Sequence, residues 1–399
     1  MSTNLSAALV GLALLVGHPA EGRAEQQADT PNLLPPGQQL YAVPAGYMAL
    51  AYGGQEMLPA EAPVQFDAPG YGCDYGQCDC GQCDCCPPSG GCASCCQQCC
   101  GSPRWRFFGE SLYIRPGQAE VVYAMPYDPA TTPSGGVPVQ MGAAGVVDFD
   151  YRPAFRAGFA RALSDCSSLG VTYSYLDIET SNAIAAGSPY AVRSMVSHPS
   201  LIDPATDGQN ANATYAIDYD LVDCDFRRVF SCSRLHTLSW LGGARYGNLN
   251  QRFLSQHAIQ RGMETIRSNI QFDGGGIRVG LEGERYARCS GWMVYGRGTA
   301  SFVAGRFLAR YDQRNATGEL VVNTGWKGGR IVTMLDLELG AGWTSPNGLW
   351  RFSAGYMISA WFNTVTTPGF IQAVQQNSFA ALDDTLTFEG LAARAELRF

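Results

Sequence analysis

The sequence predicts an all-β fold: a transmembrane, antiparallel, up-and-down β-barrel of about ten strands, behind an N-terminal cysteine-rich arm expected to be disordered. Three observations lead there. Apolar and polar residues alternate with period two over segments far longer than globular strands. The connections between those segments alternate between short and long. Only 16% of residues are charged, yet no apolar run is long enough to cross a bilayer as a helix.

The first segment, 1–24, reads as a signal peptide. Its apolar run covers 5–16 and precedes two small-residue cleavage candidates, after Ala20 and after Ala24. The stretch before that run has no Lys or Arg, which departs from the usual export pattern. Residues 25–72 are rich in Pro, Gln, Ala and Gly, hold no period, and read as a flexible arm. Residues 73–100 form a tract with 11 of the 15 cysteines. The barrel is expected over 105–399. A net charge of −8 excludes the basic footprint of a nucleic-acid binder. Lys327 is the only lysine, so the remaining basic side chains are arginines, whose forks pair bidentately with carboxylates.

Ten strands are expected, at 105–115, 147–163, 168–179, 213–229, 235–251, 268–285, 291–308, 329–343, 349–363 and 384–399. The alternation is plain in several of them. Phe149, Tyr151, Phe155, Ala157 and Phe159 alternate with Asp150, Arg152, Arg156 and Gly158. Leu169, Val171, Tyr173 and Tyr175 alternate with Gly170, Thr172 and Ser174. Leu238, Trp240, Ala244 and Tyr246 alternate with Thr237, Ser239, Gly243 and Arg245. Ile331, Leu335, Leu337, Leu339 and Trp343 alternate with Arg330, Asp336, Glu338 and Gly340. Trp350, Phe352, Ala354, Tyr356 and Ile358 alternate with Arg351, Ser353, Gly355 and Ser359.

A 15-residue strand at ~3.3 Å per residue and a tilt near 45° rises about 35 Å, enough for the ~25 Å apolar band of an outer-membrane barrel. A soluble barrel gives the same alternation with its apolar face inward; strand length favours the membrane. Short turns are expected at 164–167, 230–234, 286–290 and 344–348, and long loops at 116–146, 180–212, 252–267, 309–328 and 364–383. In the fourth strand the apolar parity switches near Leu221 and Val222, where a bulge would account for it.

Aromatic residues gather at the strand ends as two girdles: Trp292, Trp343, Trp350 and Phe399 at one end, and Phe149, Tyr151, Tyr175, Tyr215 and Phe362 at the other. The opposite parity carries the charges expected to line a lumen. They are Arg152, Arg156, Arg245, Arg278, Arg297, Arg330, Arg394 and Arg398 against Asp218, Asp220, Glu282, Glu284, Asp336, Glu338 and Glu396. Such charges pair across neighbouring strands, either as a rigid plug or as an ion path. No phosphate loop is expected, since the FDGGG and GYG stretches lack a P-loop lysine. No cofactor is expected.

Disulfides are the expected state of Cys73, Cys78, Cys80, Cys83, Cys85, Cys86, Cys92, Cys95, Cys96, Cys99 and Cys100, because the compartment is oxidising. The CxxC spacings also suit thiolate metal sites, but the tract has no His, and adjacent cysteine pairs fit one tetrahedral site poorly, so no metal is expected. An odd count leaves at least one thiol to pair elsewhere. Cys166, Cys232 and Cys289 fall in separate short turns, where the tract is expected to reach them and tether the arm beneath the barrel.

The last strand, DTLTFEGLAARAELRF, is apolar at Leu391, Ala393, Ala395, Leu397 and Phe399. It resembles the C-terminal signal read by the barrel assembly machinery, an expected partner alongside outer-membrane lipid and, through disulfides, other envelope proteins. The stretches FRAGFARALSDCSSLGVTYSYLD, YAIDYDLVDCDFRR, LGGARYGNLNQRF, FDGGGIRVGLEGER and WRFSAGYMISAWFNTVTTPGFIQAVQQNSF resemble the Legionella-type major outer membrane protein family of pore-forming barrels, particularly its planctomycete members. The resemblance covers about 105–399 and implies a barrel with a channel role in the bacterial outer membrane.

Ten strands leave little lumen, so the expectation is a narrow pore for ions or small solutes and not an enzyme. A structural or adhesive barrel is the alternative. A rim-active hydrolase of the omptin kind is a third, resting on His198, His257, Asp148, Asp383 and Asp384 coming within hydrogen-bond reach of one another.

Overall fold

The computed structural model describes residues 103–130, 139–201, 207–233, 235–259, 262–287, 290–380 and 382–399. The expected signal peptide and arm, the cysteine tract and Cys289 lie outside them. Among the described residues no helix is long and apolar enough to cross a membrane.

Ten antiparallel strands close on themselves. In chain order they are β1 (Trp105–Gly117), β4 (Arg152–Ser164), β5 (Ser167–Ala185), β7 (Asn210–Cys232), β8 (His236–Ile259), β9 (Gly262–Tyr286), β10 (Trp292–Arg314), β11 (Leu320–Thr344), β12 (Trp350–Thr364) and β13 (Asp384–Arg398). Each pairs with its neighbours along this order, and β1 seals the ring by pairing with both β4 and β13. Closure leaves no unpaired strand edge, the condition for crossing hydrocarbon with strands. The FDGGG stretch lies inside β9, where an added Cβ at Gly276 would fall 1.8 Å from the Phe302 carbonyl oxygen. Glycine here lets β9 and β10 approach.

Two further elements sit at the loop end. Strands β2 (Val121–Tyr127), β3 (Gly145–Val147) and β6 (Ala191–Ser194) form a small sheet in the order β3-β2-β6. Helix α1 (Thr367–Gln375) begins at Thr366, whose side chain accepts from the Gly369 N–H, with Pro368 in the first turn. Both features are helix-start chemistry. Gln251 of β8 anchors the helix: it donates to the Val365 carbonyl at 2.8 Å and accepts from the Thr367 N–H at 3.0 Å. Tyr311 of β10 similarly donates to the Val196 carbonyl at 2.8 Å.

The interior and exterior faces exchange character along the barrel. In the turn half, the outward face carries Phe155, Phe159, Trp240, Ile277, Leu281, Phe302, Leu337, Leu339 and Phe352, all exposed. A continuous apolar belt of this extent is a lipid-facing surface. The inward face there is charged. In the loop half, the inward face is the apolar core: Tyr215, Ile217, Phe253, Ile270, Phe272, Phe307 and Tyr311 pack with Val121, Val147 and Val196, and with Phe370 and Val374 of α1. The outward face turns polar, as with Asn248, Asn250 and Arg252 on β8. Lipid outside requires apolar side chains outward; water outside requires them inward.

This exchange corrects several expectations. The parity switch at Leu221 and Val222 is not a bulge. β7 runs in register with β5 and β8 through that point, Leu221 against Gly247 and Val222 against Tyr246, and its one irregularity lies at Val229/Ser231. The switch marks where lipid gives way to water. Asp218 and Asp220 accordingly face outward, opposite Asn250 and Asn248. Tyr215 and Phe149 do not belong to a girdle: they are 0% and 3% exposed, with ring centroids 5.0 Å apart inside the loop-half core.

The expected loops 252–267 and 309–328 are largely strand, because β8 runs on to Ile259, β9 begins at Gly262, and β10 and β11 extend to Arg314 and from Leu320. The expected loops 116–146, 180–212 and 364–383 hold the small sheet and α1, while β5 and β7 also extend into 180–212. The second barrel strand starts at Arg152 instead of 147. The short turns at 164–167 and 344–348 stand where expected, while in the expected turn 230–234 strand β7 runs on to Cys232. Cys166 and Cys232 lie at adjoining turns, where the Val229 N–H donates to the Cys166 carbonyl at 2.9 Å.

Candidate functional site

The inward parity of the turn half gathers charged side chains from nine of the ten strands into one chamber. Arg156 of β4 reaches Glu110 of β1 at 3.4 Å and Glu338 of β11 at 3.6 Å. Arg297 of β10 links Glu338 at 3.8 Å to Glu282 of β9 at 3.5 Å, and Glu282 binds Arg227 of β7 at 2.8 Å. A second chain crosses above it: Arg245 of β8 holds Asp223 of β7 at 2.6 Å and Asp336 of β11 at 2.8 Å, and Arg278 of β9 holds Asp225 at 2.9 Å. Nearer the turns, Arg351 binds Glu284 at 2.7 Å, and Arg394 and Arg398 bind Glu396 at 3.0 and 2.6 Å.

Neutral donors complete the carboxylates. Tyr295 donates to Glu338 at 2.8 Å, and Thr299 and Ser359 donate to Asp336 at 3.0 and 2.6 Å. Low dielectric makes each of these contacts strong and each unpaired atom costly.

The network is not saturated. Arg278 Nε, Arg394 Nε and Asp225 Oδ1 are buried without a protein partner. Among the described residues Arg106 hydrogen-bonds Ser168 alone, at 3.1 Å. All four side chains border a cavity of about 110 Å³ inside the ring of charges. At ~30 Å³ per molecule this holds about four waters, or a small ion with part of its shell.

An aromatic lid closes the chamber toward the loop end. Tyr219, Trp361 and Phe388 meet with centroids 5.1 to 5.7 Å apart. Trp361 donates to Ser359 at 2.9 Å, and Ser359 in turn donates to Asp336. The lid is thus hydrogen-bonded to the charges beneath it.

The chamber brings together Arg156, Arg245, Arg278, Glu282, Glu284, Arg297, Asp336, Glu338, Arg394, Glu396 and Arg398. Arg330 lies above it, donating to Asn363 at 2.9 Å and to the Leu382 carbonyl at 3.2 Å. Arg152 takes the inward parity opposite Ile114 but is exposed at the end of β4. Sequence reasoning missed Arg106, Glu110, Asp223, Asp225, Arg227 and Arg351. Asp223, Asp225 and Arg227 follow from carrying the charged parity below Leu221, and Arg351 was visible in the β12 alternation.

The girdles are clearest at the turn end. Trp292 and Trp343 are register partners, and Trp343, Phe352 and Trp350 form a stack, as do Trp105, Phe107 and Phe399. Tyr151, Tyr175 and Phe362 lie on the outward side at the other limit of the belt, Tyr151 stacked on Tyr113. Leu391, Leu397 and Phe399 share the outward face of β13.

The rim histidines stand apart from the carboxylates named with them. His198 bonds Ser200 and Asn377 at 2.7 and 3.3 Å. Asp148 caps its neighbour Phe149, Asp383 is exposed, and Asp384 accepts from Thr366 at the start of α1. His257, 3% exposed, bonds Ser255 at 3.0 Å and leaves Nδ1 unpartnered. Glu264 is its register partner, but the carboxylate is held by Gln313 at 2.6 Å and Ser197 at 3.2 Å.

Burial pushes the His257 pKa down to about 4 and the Glu264 pKa up. Between pH 6.5 and 4 the unfolded chain binds a proton at His257 that the folded loop half refuses, so stability falls with acidification across that window. Glu264 opposes this, because its raised pKa favours the protonated native form. At ~1.4 kcal/mol per pH unit the loop half is expected to lose about 2 kcal/mol between pH 7 and 4.5. Hydrogen exchange over 253–266 at the two pH values measures it. In His257→Asn the loss should shrink; an identical loss would show that His257 does not cause it.

The model of the Legionella pneumophila major outer membrane protein precursor family matches residues 97–394. No curated protein matches the chain. Among solved structures, the chain is similar to the outer membrane protease OmpT from Escherichia coli, at 10% identity and TM-score 0.42, covering 74% of this chain and 96% of that one. The Pseudomonas putida toluene transporter TodX matches at 8% identity and TM-score 0.30, covering 76% and 94%. OprG from Pseudomonas aeruginosa matches at 10% identity and TM-score 0.22, covering 75% and 98%. At these TM-scores the likenesses carry no argument about activity.

Proposed function

From the premise that this chain belongs to the Legionella pneumophila major outer membrane protein family, and so lies in the outer membrane, we propose that it is a narrow, gated pore for ions or small solutes. The observation that carries this reading is the charged chamber itself. A barrel serving only as a scaffold has no need of a cavity of about 110 Å³ bordered by four incompletely paired charged groups. Such groups exchange partners with a passing ion at low cost, because each has a bond to offer. The lid and the loop-half core account for a pore that is closed at rest. The outward apolar row of β13, ending on Phe399, supports recognition by the barrel assembly machinery.

Planar-bilayer recording tests the reading. The purified barrel, with folding proved by heat-modifiable gel migration, is expected to give small, discrete, infrequent conductance steps. Folded protein that stays silent at every voltage would move the assignment to a structural barrel presenting its loop half at the cell surface.

A further inference from the structure

We propose that the outward-facing cations Arg306, Arg310 and Lys327 form a docking site for the phosphorylated headgroup of an outer-leaflet lipid. On β10, Arg306 and Arg310 flank Leu308 on one face; Lys327 of β11 is the register partner of Leu308. All three cations are exposed. The β11 partners of Arg306 and Arg310 are Gly329 and Gly325, so the backbone beside each arginine is bare, while the exposed Leu308 lies between the two along β10. Among the described residues, none of the three is in an ion pair.

Two carboxylates are near. Asp273 is the β9 partner of Arg306 and is engaged by Tyr246 at 3.3 Å and Asn248 at 2.6 Å. Asp312, next on the Arg310 face, stands opposite Arg267. With Arg267 counted, four cations face two carboxylates on this wall. Beyond β8 the outward face turns acidic, with Asp177, Asp218 and Asp220 on β5 and β7. The charge is therefore directed and not a uniform collar.

Height identifies the anion. At ~3.3 Å per residue and a tilt near 45°, Arg306 stands about 33 Å above Trp292 of the turn-end girdle, and Lys327 about 37 Å above Trp343. By the same measure Arg310 stands about 42 Å above Trp292. The apolar band ends at ~25 Å and the headgroups reach ~40–45 Å. The cations thus lie in the headgroup layer, directly above Phe302, Ile331 and Leu335, which would meet the acyl chains. Arg306 and Arg310 are about 13 Å apart along the strand, which suits a headgroup carrying two phosphates. Each guanidinium can hold one of them bidentately, with Lys327 between.

The test is fluorescence titration of the full-length protein in dodecyl maltoside micelles with labelled bis-phosphorylated lipid A and with its dephosphorylated form. Wild type is expected to prefer the phosphorylated lipid by about tenfold or more, since each cation near a membrane surface contributes about a factor of five. Arg306→Gln/Arg310→Gln/Lys327→Gln is expected to lose that preference. A control, Arg161→Gln/Arg228→Gln/Arg285→Gln, removes the same charge from outward positions at the turn end and is expected to bind within roughly twofold of wild type. Millimolar inorganic phosphate should not compete. The proposal is overturned if wild type binds both lipids equally, if the triple variant keeps the preference while folded, if the control loses as much, or if free phosphate displaces the lipid. It stands or falls independently of conductance.

Discussion

Arg245→Leu is expected to cost the barrel about 3–5 kcal/mol, the range for removing one partner of a buried ion pair. Arg245 is 5% exposed and, among the described residues, is the one side chain paired with both Asp223 of β7 and Asp336 of β11. Without it, among the described residues, Asp336 keeps the hydroxyl donors Thr299 and Ser359, and Asp223 keeps Arg278. Two carboxylates then face each other inside the barrel with too few cations, and the loss is chiefly the uncompensated charge.

The outward pair Arg252–Asp218, at 3.1 Å with the arginine 61% exposed, supplies the contrast. Arg252→Leu should change stability by less than about 1 kcal/mol, since water solvates the abandoned partner. Urea unfolding in micelles, followed by tryptophan emission, measures both. Equal effects would mean that the chamber is hydrated enough to screen its charges and is no stabilising network.

Trp361→Ala/Phe388→Ala is expected to raise conductance severalfold over wild type, in step size or open time, while destabilising the loop half. The two rings, both 1% exposed, form the lid with Tyr219. Truncating a buried Trp or Phe to Ala costs about 3–5 kcal/mol each, and the void left here opens on a polar chamber, so water enters it. The Trp361 bond to Ser359 is lost as well, freeing a hydroxyl that orders Asp336. Steps of unchanged size and duration from folded double variant would place the barrier in the core above, around α1. Phe370→Ala then becomes the discriminating measurement.

Much of this was legible in the residues. The run Trp350, Phe352, Ala354, Tyr356, Ile358 against Arg351, Ser353, Gly355, Ser359 defines a lipid face and a chamber face without any coordinates, because a strand has only two sides. The short turns at 164–167 and 344–348, the Trp292–Trp343 girdle and the terminal Phe399 were readable for the same local reason.

The errors share one cause. A rule equating charge with the inside places Asp218 and Asp220 in the lumen, and a rule placing a strand-end tyrosine at an interface puts Tyr215 in a girdle. Both rules hold only while lipid is the surrounding solvent. Above Leu221 the solvent is water, so the same alternation carries the opposite meaning. The continuations 252–259 and 309–314 read as loops in the sequence because polar outward residues such as Arg252, Arg310 and Asp312 dilute the apolar signal.

By itself, then, the sequence determined the barrel, its ten strands, their order and the two faces of each, since period-two alternation and strand length are local properties. Tertiary structure alone decided which charges meet. Whether Arg245 faces Asp223 or Asn250 depends on register between strands, and its bond to Asp336 crosses the lumen between strands three apart in the ring. The lid of Tyr219, Trp361 and Phe388 draws on β7, β12 and β13, which are distant in the chain. Only closure of the ring brings them together, and no local pattern encodes the distance across a barrel.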